Sequence, residues 1–114
     1  MTLEQFLKTL RSEPETIEFD DTMSVIDAEY HFTPTPFSNG DVVNAANENN
    51  GSCKIFAFAQ LQSLDADQTL ACFGQYYRND VLKHPDGDDH SNIRSFMKNG
   101  WIGIEFDGMA LTAA

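Results

Sequence analysis

Leu3, Phe6, Leu7 and Leu10 recur at three- and four-residue intervals, the spacing of a helix with one apolar face. Thr2 and Gln5 occupy the two positions of a capping box at its start. The pattern therefore predicts a first helix to about Arg11, ended by Ser12 to Pro14. A second helix is expected to about Tyr30, capped by Asp20 or Asp21, with Met23, Ile26 and Tyr30 on one face. Early acids suit its positive N-terminal end. Pro34 and Pro36 exclude helix from Phe32 to Phe37 and favour extended chain. Asn39-Gly40 signals a turn, followed by a short strand within Asp41 to Ala46 and a polar loop from Asn47 to Gly51.

Ser52 can cap a helix through Cys53, Ile55, Phe56, Phe58, Ala59 and Leu61. That segment is apolar on most sides, which places it centrally in the core. It also reads as alternation, so strand is the competing assignment; its Ala, Gln, Lys and Leu content favours helix. Asp65 with Gln68 starts another helix, whose stripe of Leu70, Phe73, Tyr76 and Tyr77 extends past Gly74 to Val81 and Leu82 before Pro85 stops it. His84 to His90 is a polar loop. Ser91 to Lys98 is helical, with Ile93, Phe96 and Met97 inward, and Asn99-Gly100 is its stop. Trp101 to Phe106 alternates, with Ile102, Ile104 and Phe106 on one face. Asp107-Gly108 then signals a hairpin into Met109 to Leu111. The fold class is α+β: several helices packed on a small, mainly antiparallel sheet with a C-terminal hairpin, forming one domain over residues 1–114.

Length and composition agree with that picture. A chain of 114 residues buries roughly two-thirds of its unfolded surface, enough for one core, and nine Phe supply much of the apolar area. No stretch approaches the roughly 20 apolar residues of a membrane helix, and Met1 to Leu10 does not read as a Sec-type signal peptide. Cys53 and Cys72 are the only cysteines, which points to reduced thiols in a cytosolic setting.

Charge narrows the partners. The formal net charge is −11, which disfavours nucleic acid and anionic lipid. No Lys or Arg lies between Arg11 and Lys54, while that span holds Glu13, Glu15, Glu18, Asp20, Asp21, Asp27, Glu29, Asp41 and Glu48. Such a surface reads first as a solvated, aggregation-resistant face and second as one that steers a basic protein partner.

Two constellations could carry chemistry. In His84-Pro85-Asp86-Gly87-Asp88-Asp89-His90, imidazole and carboxylate together suit a divalent metal, with His84, Asp86, Asp88 and His90 as candidate ligands. The spacing matches no zinc signature or calcium loop, and the same residues read as a polar connector in which Asp88 or Asp89 caps the next helix. In Gly51-Ser52-Cys53, a Ser52 cap puts Cys53 in the first turn of a helix, where the dipole lowers a thiol pKa. A cysteine hydrolase would then need His84 or His90 as base and Asp88, Asp89 or Asn92 to orient it. The competing reading is a buried Cys53 acting as a small apolar residue. His31 reads as a packing or carbonyl-capping residue, and Tyr76, Tyr77 and Trp101 as core aromatics. There is no phosphate loop, serine elbow or kinase signature, and no cofactor is expected.

Three segments go further: NNGSCKIFAFAQL (Asn49 to Leu61), TLACFGQYYR (Thr69 to Arg78) and HPDGDDHSNIRSFMKNGWIGIEFDGMALT (His84 to Thr112) resemble the HopJ type III effector family. The resemblance spans nearly the whole chain. It implies a bacterial protein, resident in the cytoplasm and, for some relatives, injected into plant cells by a type III secretion system. It carries over no catalytic activity, cofactor or site residue. The function expected is a non-enzymatic binding or effector-type protein engaging a protein partner. The alternatives are a small hydrolase centred on Cys53, or a metal-binding module through the His84 to His90 loop. An exposed Cys53 close to a histidine favours the enzyme, and a buried Cys53 without one favours binding.

Overall fold

The computed structural model describes residues 1–114. Helix α1 (Leu3–Ser12) starts as its sequence requires: the Gln5 backbone N–H donates to Thr2 Oγ1 at 3.1 Å and Thr2 N–H donates to Gln5 Oε1 at 2.9 Å. Phe6 and Leu10 are its buried face. A 3-10 turn (Pro14–Thr16) leads to α2 (Phe19–Glu29). This helix begins earlier than the expected Asp20 or Asp21 cap. Glu18 is the capping position, and Asp21 acts from inside the helix by accepting from the Glu18 N–H at 3.0 Å. It also ends one residue early: Tyr30 is extended and opens strand β1 (Tyr30–Phe32). There its ring meets Phe58 edge-on, and its hydroxyl accepts from Gln62 Nε2 at 2.8 Å.

Helix α3 (Asn50–Leu61) is the hub of the core. Cys53 and every residue from Ile55 to Ala59 are buried, so helix, not strand, satisfies this apolar run. Phe56 contacts the rings of Phe37, Phe73, Phe96 and Trp101, and 23 buried apolar side chains form one continuous cluster around it. Helix α4 (Ala66–Ala71) has the expected Asp65–Gln68 capping box. It does not continue to Leu82 as its stripe suggested. Gly74 takes φ +61, where a Cβ would collide with the Phe19 nitrogen and lie 2.7 Å from the Glu18 carbonyl carbon. The start of α2 thus packs on a bare backbone, the helix breaks, and the chain resumes as a π-helical stretch (Tyr76–Val81). Helix α5 (Ser91–Asn99) buries Ile93 and Phe96 and stops at Gly100, φ +63. Met97, expected inside, is exposed.

The sheet departs from the expected C-terminal hairpin. Strands β2 (Phe37–Asn39) and β3 (Val42–Asn44) form a hairpin around Gly40-Asp41. Residues Gly100–Gly103 are a 3-10 turn that leaves Ile102 fully in solvent, so the strand expected from Trp101 shortens to β4 (Ile104–Phe106). Asp107-Gly108 does not fold β4 back on the next strand. Instead β4 pairs antiparallel with β2, and β5 (Leu111–Ala113) pairs antiparallel with β1. Between them, Thr33 N–H donates to Ala110 O at 2.8 Å and Asp107 N–H to Pro36 O at 3.0 Å. The same register runs from one pair through the gap to the other. Residues 30–39 and 104–113 therefore form one long ladder, interrupted where Pro34 and Pro36 have no N–H to give.

The glycine break yields a direct test. Gly74→Ala adds the cost of a left-handed alanine, about 1–2 kcal/mol, to a backbone collision, and should destabilise the protein by more than about 2 kcal/mol in urea denaturation. Gly100→Ala meets nothing within 4 Å, but its φ 63, ψ −157 conformation is essentially reserved for glycine, so it should cost about 1–3 kcal/mol through backbone strain alone.

Candidate functional site

Two helices begin at one cleft. Its volume is about 310 Å³, and its walls include Asn49, Gly51 and Ser52 at the start of α3 and His90, Ser91 and Asn92 at the start of α5. Asn49 and His90, the residues before each helix, both take left-handed backbone conformations, φ 53 and 50, and neither side chain caps its helix. The backbone N–H groups of Asn50, Gly51, Ser52, Ser91, Asn92 and Ile93 are consequently left without a backbone partner. The positive ends of two helix dipoles meet there, a local preference for negative groups within an acidic chain. Gly51 is small for a reason: a Cβ would lie 2.7 Å from the tip of the Phe19 ring, which closes one side of the cleft.

Buried asparagines hold the two starts together. Asn44 Oδ1 accepts from Asn49 Nδ2 at 2.8 Å and from Asn92 Nδ2 at 3.0 Å. Asn44 Nδ2 donates in return to Asn92 Oδ1 at 3.2 Å, and Asn39 Nδ2 donates to the Asn92 carbonyl at 2.8 Å. Asn39, Asn44 and Asn92 are buried, so these bonds form in a medium where losing one is costly. The β2–β3 hairpin thereby fixes both helix N-termini. Nothing in local sequence marked Asn39 or Asn44 for this role; the signal was only an unusual density of asparagine from Asn39 to Asn50.

At the cleft rim, His90 is gripped on several sides. Its ring stacks on Tyr76 with centroids 5.3 Å apart. Nε2 lies 2.9 Å from Asp80 Oδ2 and 3.9 Å from Asp89 Oδ2. Asp89 is oriented by Arg94, whose guanidinium donates at 2.6 Å to Oδ1 and at 2.6 Å to the Asp89 carbonyl. The Arg94 hydrogen bond holds the Asp89 carboxyl below the usual carboxylate range. Arg94 also donates to the His84 carbonyl at 2.9 Å, closing the loop on itself.

The sequence candidates separate accordingly. His90 gathers Asp80 and Asp89; His84, Asp86 and Asp88 are exposed and are not part of that group. Neither Asp88 nor Asp89 caps α5, because His90 occupies the capping position. Ser52 does not cap α3 either: Asn49 stands there, and Cys53 is the fourth helical residue, its N–H already bonded to Asn49 O at 3.0 Å. Cys53 is 1% exposed. Its Sγ lies 3.5 Å from Thr35 O and hydrogen-bonds to no histidine. Burial pushes its pKa up, the opposite of activation, and pushes that of Cys72 up to about 12. His31 is exposed on β1, and Asn92, considered as an orienting group for a cysteine enzyme, belongs to the asparagine network.

With this geometry in place, comparison with known proteins identifies the family. The HopJ type III effector protein model matches residues 3–111. The chain belongs to the HopJ type III effector protein family. Among solved structures, the HopJ chain is similar to a crystal structure of a protein of unknown function, VPA0580, with 60% identity and a TM-score of 0.98, covering 100% of this chain and 95% of that one. No curated protein matches it. The resemblance seen in the three sequence segments is thus a family relationship extending over nearly the whole HopJ chain.

The asparagine network makes a quantitative demand. Asn44→Ala should leave the Asn92 amide partly unpaired in the interior and cost about 2 kcal/mol, measured by urea denaturation. The larger signature is local: amide hydrogen exchange at the first turns of α3 and α5 should quicken together, since one oxygen serves both.

Proposed function

We propose that this HopJ chain is a non-enzymatic, effector-type binding protein that engages a protein partner with a basic surface. The observation that carries this reading is the state of Cys53. It is buried, that burial raises its pKa, and no histidine hydrogen-bonds to it, so the arrangement lacks the thiolate and base of a cysteine hydrolase. Surface charge supports the partner's chemistry. Of the nine acids between Arg11 and Lys54, all but Asp21 are exposed, and only Asp27 and Glu18 have ion-pair partners, Lys54 and Arg78. Apart from Asp21 and Glu48, which accept backbone N–H groups, the remaining carboxylates are free to meet cations. Family membership supports synthesis in a bacterial cytoplasm followed by type III delivery into a host cell. No helix is long and apolar enough to cross a membrane.

Two measurements test this. Iodoacetamide at about pH 6, well below a free thiol's pKa of ~8.5, should leave both cysteines of the native protein unmodified by mass spectrometry; rapid, selective alkylation of Cys53 would sink the reading in favour of the hydrolase. Calorimetric titration with an unstructured Lys/Arg-rich peptide should show binding that weakens as salt rises. Reversing Glu15 and Asp20 to Lys should weaken it at least about tenfold, equivalent to roughly 1.4 kcal/mol. Failure to bind at low salt, or indifference to the charge reversal, would count against an acidic docking face.

A further inference from the structure

We propose that Asp80, Asp89 and His90 form a binding site for a divalent transition-metal ion of the zinc or manganese class at the rim of the cleft. The ligand set is distinct from the one that loop spacing suggested, sharing only His90 with it, and the inference is independent of the partner-binding reading above.

The three donor atoms converge from different parts of the chain. Asp80 comes from the π-helical stretch, and Asp89 and His90 from the end of the following loop; their ligand atoms all lie within 4.8 Å of one another. Donors bound to one tetrahedral metal at about 2.1 Å are roughly 3.4 Å apart. The observed separations from His90 Nε2, 2.9 Å to Asp80 and 3.9 Å to Asp89, bracket that value, so small side-chain rotations suffice. The tautomer with its proton on Nε2 donates that hydrogen bond to Asp80. A divalent ion would take that proton's place and draw in the second carboxylate.

The surroundings do what outer groups do around metal ligands. Tyr76 supports the imidazole plane. Arg94 engages Asp89 through Oδ1 and its backbone carbonyl, which leaves Oδ2 turned toward His90. Arg94 therefore orients the carboxylate without occupying the oxygen that faces the site. A chain of net charge −11 attracts cations generally, but the imidazole selects among them. Calcium takes 6–8 oxygen ligands, whereas one nitrogen and two carboxylate oxygens suit zinc or manganese. Three protein ligands leave a coordination position open. His90 also lines the cleft where the unpaired N–H groups of α3 and α5 begin. A small anionic ligand could then contact the metal and the helix N-termini together.

The test uses the full chain and the metal alone. Zn²⁺ and Co²⁺ titrated into chelator-treated protein should bind one-to-one by calorimetry, and Co²⁺ should develop visible ligand-field bands. Asp80→Asn, Asp89→Asn and His90→Asn should each weaken binding by at least about tenfold. Asparagine at position 90 tolerates the left-handed backbone, and an unchanged near-ultraviolet circular dichroism spectrum checks that each variant is folded. His84→Asn, outside the cluster, should bind as the wild type does. The proposal is overturned if no one-to-one binding appears up to about 1 mM metal. It is equally overturned if any of the three cluster substitutions leaves affinity unchanged, or if His84→Asn weakens binding as much as they do.

Discussion

One side-chain oxygen, Asn44 Oδ1, receives the amides of both Asn49 and Asn92, and the geometry of the cleft depends on that shared acceptor. Asn49 precedes α3, Asn92 lies in the first turn of α5, and Asn44 ends β3. Two elements adjacent in sequence and a third 48 positions on thus meet on one polar group inside the core. A hydrophobic contact could have packed them equally tightly, but dispersion is non-directional. Hydrogen bonds among buried amides fix orientation as well as distance. The consequence is that two helices point their unpaired N–H groups at the same space, with His90 held at its edge.

The remainder of the fold serves to place these elements. α3 is apolar nearly all round because helices and strands surround it, and Phe56 touches rings from four directions. Gly74 lets the start of α2 pack directly on backbone. The same break turns Tyr76 and Asp80 into a π-helical stretch beside His90. A continuous helix through Gly74 would have carried both residues along another path. The glycine therefore links the packing of α2 to the side chains around the imidazole.

Chemical reactivity is arranged in the reverse of what the cysteine motif suggests. Both thiols are buried and their pKa values raised, so they behave as small apolar residues. The polar functional groups lie instead around His90 and the two helix starts. This is where the backbone N–H groups that open two helices lack backbone partners. The acidic N-terminal half is a separate, broad feature whose carboxylates are mostly unpaired.

Features governed by near neighbours were legible in the sequence. The capping boxes at Thr2 and Asp65, the Gly40 turn, the Gly100 stop and the central apolar helix through Cys53 to Leu61 each follow from residues a few positions apart, because capping, turn and periodicity effects act over one or two turns of chain. The family segments were legible for a similar reason: they are contiguous. Tertiary structure alone decided the rest. Asp107-Gly108 carries a hairpin signal, yet β4 and β5 pair with residues 30–39 instead of with each other, and that partner lies 65 to 83 positions away. Ile102 fits a strand pattern, but the turn after Gly100 sends it into solvent. Cys53 could have been an exposed first-turn thiol or a core residue; only the start of α3 at Asn50 and the packing around it settled burial. His90, Asp80 and Asp89 likewise share no readable spacing, because a π-helical stretch and a loop, not one regular element, bring them together.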